Sequence, residues 1–132
     1  LLHKSIFETI VSFDQSLTVC EDYDFWLRLL LQDEIGLVDE KLTIKHGGHA
    51  DQLSTNTWGM DRFRIKTLQK ILSTPLLSLS RRKLVYEVLI DKCRILAQGS
   101  KKRQKTGDAE VYQEMAEKYS VQLSKTIQHV EK

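Results

Sequence analysis

Apolar residues recur at intervals of three and four in two stretches near the start of the chain, and this spacing predicts two helices. The first helix lies within "HKSIFETIVSFD", residues 3–14, and its apolar positions are Ile6, Phe7, Ile10 and Val11. The second lies within "CEDYDFWLRLLLQDE", residues 20–34, and its apolar positions are Phe25, Trp26, Leu29 and Leu30. We expect Glu21 or Asp22 to cap the second helix, because acidic side chains suit the positive end of the helix dipole.

Residues 35–48, "IGLVDEKLTIKHGG", predict two short strands. "IGLV" is a compact apolar run, and Leu42 and Ile44 then alternate with polar residues at the period of a strand. Two consecutive glycines end the pattern and open a loop, "HGGHADQLSTN", at residues 46–56.

The rest of the chain predicts three longer helices. The first occupies residues 57–73 and ends before Pro75, the only proline. The second follows a cap at Ser78 or Ser80 and ends near Gly99, and its apolar seam is Leu84, Val85, Val88, Leu89, Ile95 and Leu96. The third follows a cap at Asp108, and its stripe is Val111, Met115, Tyr119, Leu123 and Ile127.

Composition adds few constraints to this picture. The 132 residues suffice for one domain with a modest core, and 41% hydrophobic with 29% charged residues is ordinary for a globular protein. A net charge of +2 gives no reason to expect a nucleic-acid partner. Cys20 and Cys93 lie far apart without metal-binding spacing, so we expect two reduced thiols in a cytoplasmic protein. No segment reaches the length of a signal peptide core or a membrane span.

The acidic cluster of Glu21, Asp22 and Asp24 is the first candidate for chemistry. It could be a helix cap with two solvated acids. However, three acids within one turn repel each other beyond what capping requires. Apolar bulk from Tyr23, Phe25 and Trp26 lies beside them in sequence, and a carboxylate that loses solvation is a reasonable general base for a hydroxyl nucleophile.

Two further clusters are weaker candidates. His46 and His49 flank the two glycines, either as exposed side chains of a polar turn or as groups that contact a phosphate or a metal. A basic set is formed by Arg62, Arg64, Lys66 and the run "KKRQK" at residues 101–105. That run is typical of a solvated helix end, and the alternative is contact with an anionic membrane surface.

Taken in order, these stretches resemble the C-terminal part of the catalytic domain of family 2 glycosyltransferases, inverting enzymes with a GT-A fold. In that family an "FDE-x-L" turn is followed by an "ED-Y-D-x-W-L-R" helix, a short hairpin and a loop with arginine or histidine. The matching stretches are Phe13–Leu17, Glu21–Arg28 and His46–Ser54. The resemblance spans residues 1–65. It implies an α/β, mostly helical transferase part at residues 1–75 and a helical C-terminal extension at 76–132.

The resemblance also implies roles for individual residues. The parent enzyme would transfer a sugar from a nucleotide-diphosphate donor to an acceptor hydroxyl with inversion. Asp22 would be the general base, with Glu21 positioning the acceptor or the base, and Asp24 would cap or orient the helix. His49, and less directly His46, would approach the donor phosphates, and a divalent Mg²⁺ or Mn²⁺ would stabilise the leaving diphosphate. Phe25 and Trp26 would be core residues.

The sequence departs from the family in several places. The nucleotide-binding half with its Asp-x-Asp motif is absent, and the usual "GGFDE" reads "VSFDQ", with Val11, Ser12 and Gln15 at the altered positions. The chain does not begin with methionine. We therefore expect either a piece of a longer bacterial enzyme or the product of a gene that lost its front. In either case the chain should bind nucleotide sugar poorly by itself. The processive "Q-x-x-R-W" signature is missing, which favours a parent that adds single sugars.

Other functions stay open from sequence. A non-catalytic helical interaction module would form a homodimer through the tail, using the seams at 84–96 and 111–127. A peripheral contact with the inner face of the membrane is a further partner hypothesis. A metal-dependent hydrolase built on His46, His49 and the acids lacks a third ligand.

Overall fold

The computed structural model of the chain describes residues 2–10, 12–44, 46, 57–75 and 77–130. The regular elements within these ranges are helices: α1 (Ile6–Thr9), α2 (Glu21–Leu30), α3 (Asp61–Ser73), α4 (Leu79–Lys102) and α5 (Thr106–Val130). They belong to two compact units, the first unit (Leu1–Met60) and the second unit (Asp61–Lys132). The helices predicted from apolar spacing are confirmed. The division into a transferase part and an appended tail at residue 75 stays a prediction.

The predicted α/β class is wrong, because the described ranges contain helices and no strand. Residues 34–44 lie outside helices, and their apolar side chains are exposed, with Leu37 at 89% and Ile44 at 83%. The backbone of Leu42 donates locally to the carbonyl of Glu40, over 3.0 Å, where a hairpin would need a partner on the other strand. Alternating residues form a strand only where another strand pairs with them and a core covers one face.

The core of the first unit forms around Phe25. Ile10, Phe25 and Leu29 are buried together, and Leu2 and Ile6 pack against them from the side. A helix as short as α1 has little stability of its own, so its packing on α2 maintains it. The sequence prediction that Phe25 is a core residue is confirmed.

The second unit is an antiparallel arrangement of three helices. At one end, Lys92 of α4 contacts Asp61 of α3, over 3.0 Å, and at the other Arg82 of α4 donates to the carbonyl of Leu72, over 2.8 Å. Ser78 caps α4 as predicted, accepting from the backbone N–H of Arg81. The turn after α4 contains Gln104, whose left-handed backbone (φ 58°) reverses the chain.

Tyr119 of α5 joins all three helices of this unit. Its ring lies 6.1 Å from that of Tyr86 on α4, and its hydroxyl accepts a hydrogen bond of 2.7 Å from Gln69 on α3. Cys93 is fully buried in α4, and this burial raises the pKa of its thiol to about 11. Cys20 and Cys93 are both free thiols, as the sequence predicts.

The predicted seams of α4 and α5 are confirmed only in part. The buried residues of α4 are Leu89, Ile90, Cys93, Leu96, Ala97 and Ser100, whereas Leu84, Val88 and Ile95 are exposed. In α5 the fully buried positions are Ala109, Ala116, Tyr119 and Thr126, and Met115, Leu123 and Ile127 of the predicted stripe are half-buried. The predicted stripe stepped by four throughout, which drifts about 40° around the helix per step. Val111 is therefore 54% exposed.

Three predicted helix ends are also wrong. α3 begins at Asp61 rather than at residue 57. Asp108 lies in the first turn of α5 rather than at its cap, because the helix begins at Thr106. Gly99 lies inside α4, which continues to Lys102, and Gln104 supplies the left-handed residue expected near its end. A glycine is tolerated within a helix when tertiary packing supplies the stability.

Asp61 of α3 is paired with two cations, one on its own helix and one on α4. Its Oδ1 lies 2.8 Å from Arg64 and 3.0 Å from Lys92. Burial alone would raise the pKa of Asp61, but hydrogen bonds and positive charges from these two side chains outweigh burial and hold that pKa below its ordinary 3.8. The folded state therefore favours the ionised carboxylate. Its contribution to stability is present above that pH and is lost as the pH falls through the lowered pKa.

We expect Asp61→Asn to lower the free energy of unfolding by about 1–2 kcal/mol at about pH 7, because charged hydrogen bonds are lost. The difference between native and variant proteins should begin to shrink below about pH 4 and disappear as the pH falls through the lowered pKa of Asp61, where the native carboxyl becomes protonated. Urea unfolding followed by circular dichroism at several pH values measures both effects. Asp91→Asn, at an exposed acid of α4, is the control. A difference that stays constant across the pH range would contradict the assignment.

Thr67 provides a second test of the three-helix core. Its hydroxyl is fully buried and has no hydrogen-bond partner, so Thr67→Val should raise the free energy of unfolding by about 1 kcal/mol. Thr126→Val is the matched control, because the Thr126 hydroxyl donates to the carbonyl of Gln122 over 2.9 Å. Thermal and urea unfolding should show a gain for the first variant and none for the second. Equal effects would mean that Thr67 is not an unsatisfied site.

Candidate functional site

The three acids of α2 occupy different environments. Asp24 is buried, at 2% exposure, whereas Asp22 is exposed and Glu21 is half-buried. Successive helical residues are rotated by about 100°, so Asp22 and Asp24 project in directions about 200° apart. The helix therefore places one acid in the first unit's interior and one on its surface.

Asp24 forms an ion pair within the first unit. Its Oδ2 lies 2.7 Å from Nε of Arg28, one turn further along α2. Arg28 also donates to the backbone carbonyl of Ser12, over 3.0 Å, and its guanidinium lies 5.9 Å from the centre of the Phe25 ring. The pair thus connects α2 to the segment that precedes it. The sequence predicted that the general base would be a carboxylate with reduced solvation. Asp24 is the acid that loses its solvation, and Asp22 remains exposed.

Asp22 has a different arrangement. Its Oδ1 accepts a 2.7 Å hydrogen bond from the backbone N–H of the next residue, Tyr23. This local contact orients the carboxylate without removing it from solvent. Asp22 can therefore reach a molecule bound at the surface, which Asp24 cannot do without breaking its ion pair.

The start of α2 is formed by Cys20 rather than by an acidic cap, so the capping prediction for Glu21 or Asp22 is wrong. Cys20 has a left-handed backbone (φ 62°), an uncommon conformation for a residue with a side chain. Its side chain is buried, and its Sγ contacts the carbonyl of Met60 over 3.7 Å. These constraints determine where the acidic turn begins.

His46 is exposed, and His49 lies outside the described residues. In the part of the chain that the structure describes, no three acidic, histidine or cysteine side chains come together as metal ligands. The expectation that a divalent metal acts in the parent enzyme stays a prediction.

The predicted basic set lies in the second unit. Arg64 is paired with Asp61, and the guanidinium of Arg62 lies 5.6 Å from the centre of the Phe63 ring. The run at residues 101–105 is exposed at the end of α4, as expected of a solvated helix end. Among the described residues, no helix is both long and apolar enough to cross a membrane.

Sequence reasoning misplaced one aromatic residue of α2. Trp26 was predicted to be core, but 40% of it is exposed. The signal was present in the spacing, since Asp22, Trp26 and Leu30 recur every four residues and share a helix face. Phe25 and Leu29 form the adjacent, buried face.

Comparison with known proteins gives no match to a family model, to a characterised protein or to a solved structure. The resemblance to family 2 glycosyltransferases accordingly stays a prediction from the sequence motifs.

The ion pair can be tested apart from any activity. Arg28→Met should lower the free energy of unfolding of the first unit by about 2–3 kcal/mol, because Asp24 would remain buried without its counter-charge. Asp22→Asn, at the exposed acid, should change it by less than about 0.5 kcal/mol. Both tryptophans of the chain lie in the first unit, so their fluorescence during urea unfolding reports on that unit. Similar losses in the two variants would contradict the division between the acids.

Proposed function

We propose that this chain is the acceptor-side part of an inverting glycosyltransferase that uses a nucleotide-diphosphate sugar as donor. The observation that carries the proposal is the difference between two acids of the same helical turn. Asp24 is buried in an ion pair with Arg28, whereas Asp22 is exposed and oriented by a backbone hydrogen bond. The ordered motifs around this turn, Phe13–Leu17 and Glu21–Arg28, support the same function by resemblance.

The chemistry requires one proton acceptor on this chain. As the acceptor oxygen attacks the anomeric carbon, its O–H proton passes to the Asp22 carboxylate. The new carbon–oxygen bond forms on one face of the sugar while the bond to the diphosphate oxygen breaks on the other. The diphosphate leaves with the electron pair, and the anomeric configuration is inverted. Glu21, half-buried beside Asp22, would orient the acceptor hydroxyl.

Several elements of the proposal lie outside the described residues. The nucleotide and diphosphate of the donor would be held elsewhere in the parent enzyme, together with any divalent cation. His49 belongs to the undescribed loop, and its proposed contact with the donor phosphates rests on the resemblance. A cytoplasmic location would follow from the use of nucleotide sugars.

A helical interaction module is the second candidate. One observation favours it: Leu84, Val88 and Ile95 are apolar, exposed and aligned on one face of α4. Asp91 is also exposed and lies between the last two in sequence, which makes the apolar face discontinuous. We prefer the transferase function because it accounts for the acidic turn, which an interaction surface on α4 does not use.

Asp22→Asn should reduce kcat for sugar transfer in the native enzyme by about 10²–10⁴-fold, because the acceptor proton loses its base. Binding of the donor nucleotide sugar should be unchanged. Asp33→Asn, at an exposed acid just beyond α2, should retain activity. Single-turnover transfer and calorimetric donor binding measure the two effects separately. Turnover within a few-fold of the native rate would exclude Asp22 as the base.

A further inference from the structure

An aromatic surface adjoins the acidic turn of α2. Phe7, Phe13 and Trp26 are 47%, 48% and 40% exposed, and all three rings contact the buried ring of Phe25. Their ring centres lie 5.5, 5.3 and 5.6 Å from that of Phe25. These three partly exposed rings share one buried ring as a neighbour, and we call them the aromatic patch; they differ in this from apolar residues scattered singly over a surface.

Trp26 links this patch to the exposed acid. Asp22 and Trp26 are four residues apart in α2, so their side chains are neighbours on one face of the helix. The Trp26 ring meets Phe25 at 78°, edge to face, and Phe25 is held in the core of the unit. The indole is therefore supported from below and does not need to be ordered when a ligand binds.

A sugar ring matches this combination of groups. One face of a pyranose carries C–H groups that pack on an aromatic ring, while its hydroxyls at the edge require hydrogen-bond acceptors such as a carboxylate. A purely apolar partner would leave Asp22 without a polar contact. An anionic partner would meet a like charge.

We propose that Trp26 is the platform on which the acceptor stacks, and that the acceptor is itself a sugar rather than a lipid or peptide hydroxyl. This inference rests on the proposed function and specifies its substrate class. Stacking on Trp26 would bring a ring hydroxyl toward Asp22, one helical turn away. Phe7 and Phe13, which also contact Phe25, would contact a further sugar unit of a longer acceptor.

The test measures sugar binding by the full chain, without requiring turnover. The protein is labelled with 5-fluorotryptophan, which gives one fluorine resonance each for Trp26 and Trp58, assigned with Trp26→Phe. The probes are methyl glycosides of glucose, galactose, mannose and N-acetylglucosamine, and the disaccharide cellobiose. We expect at least one probe to shift the Trp26 resonance saturably. Trp26→Ala should weaken binding at least tenfold, as followed by amide shifts, whereas Leu84→Ala, at an exposed apolar residue of the second unit, should not.

Cyclohexanol is the control probe, since it has a six-membered ring and one hydroxyl but lacks the remaining hydroxyls of a sugar. Equal binding of cyclohexanol and the glycosides, or no saturable shift of Trp26 with any glycoside, would overturn the inference. Either result could occur while Asp22→Asn still abolishes transfer, in which case the proposed function stands and the acceptor is not a sugar. If a glycoside shifts the Trp26 resonance saturably but Asp22→Asn keeps full turnover, Trp26 remains the stacking residue and Asp22 is excluded as the base.

Discussion

The ion pair between Asp24 and Arg28 is the interaction on which the arrangement of the first unit depends. A carboxylate buried in an interior is stable only with a counter-charge and hydrogen bonds, and Arg28 provides both. Through its second contact, to the carbonyl of Ser12, the same guanidinium fixes α2 against the preceding segment. Once α2 is held in this rotation, Phe25 faces the core, and Asp22 and Trp26 face solvent.

The second unit is organised by polar contacts between α3 and α4 and by small residues between α4 and α5. Asp61 with Lys92 and Arg82 with the Leu72 carbonyl hold the two ends of α3 against α4. Small buried residues on the facing helices, such as Ala97 and Ala109, allow α4 and α5 to lie close together where the chain reverses. These contacts account for a stable bundle without assigning it any chemistry.

The sequence predicts the helices of this protein better than it predicts which faces they bury. Spacing alone located α2, and the Ser78 cap and Pro75 marked the boundary between α3 and α4. Spacing could not distinguish the face of α4 that contains Leu84 from the one that contains Cys93, because both are partly apolar and only the neighbouring helices decide. It also predicted strands at residues 35–44, where local alternation is present but no described strand pairs with it.

For the candidate site, the sequence identified the acidic turn but not the environments of its members. Local rules treat Asp22 and Asp24 as equivalent first-turn acids. Asp24 differs because Arg28, four residues later, pairs with it. Arg28 is in turn held by the backbone carbonyl of Ser12, and this second contact is tertiary. Trp26 was misplaced for the same reason: apolar character predicts burial on average, and only the rotation of the helix shows which aromatic ring remains outside.

The buried Cys93 has a consequence for how the second unit can be observed. Thiol reagents react with the thiolate, and a thiol with a pKa of about 11 that is closed off from solvent presents almost none at neutral pH. Modification of this cysteine would therefore wait for the helices to separate. Its labelling rate would therefore report how often the helices of the second unit separate.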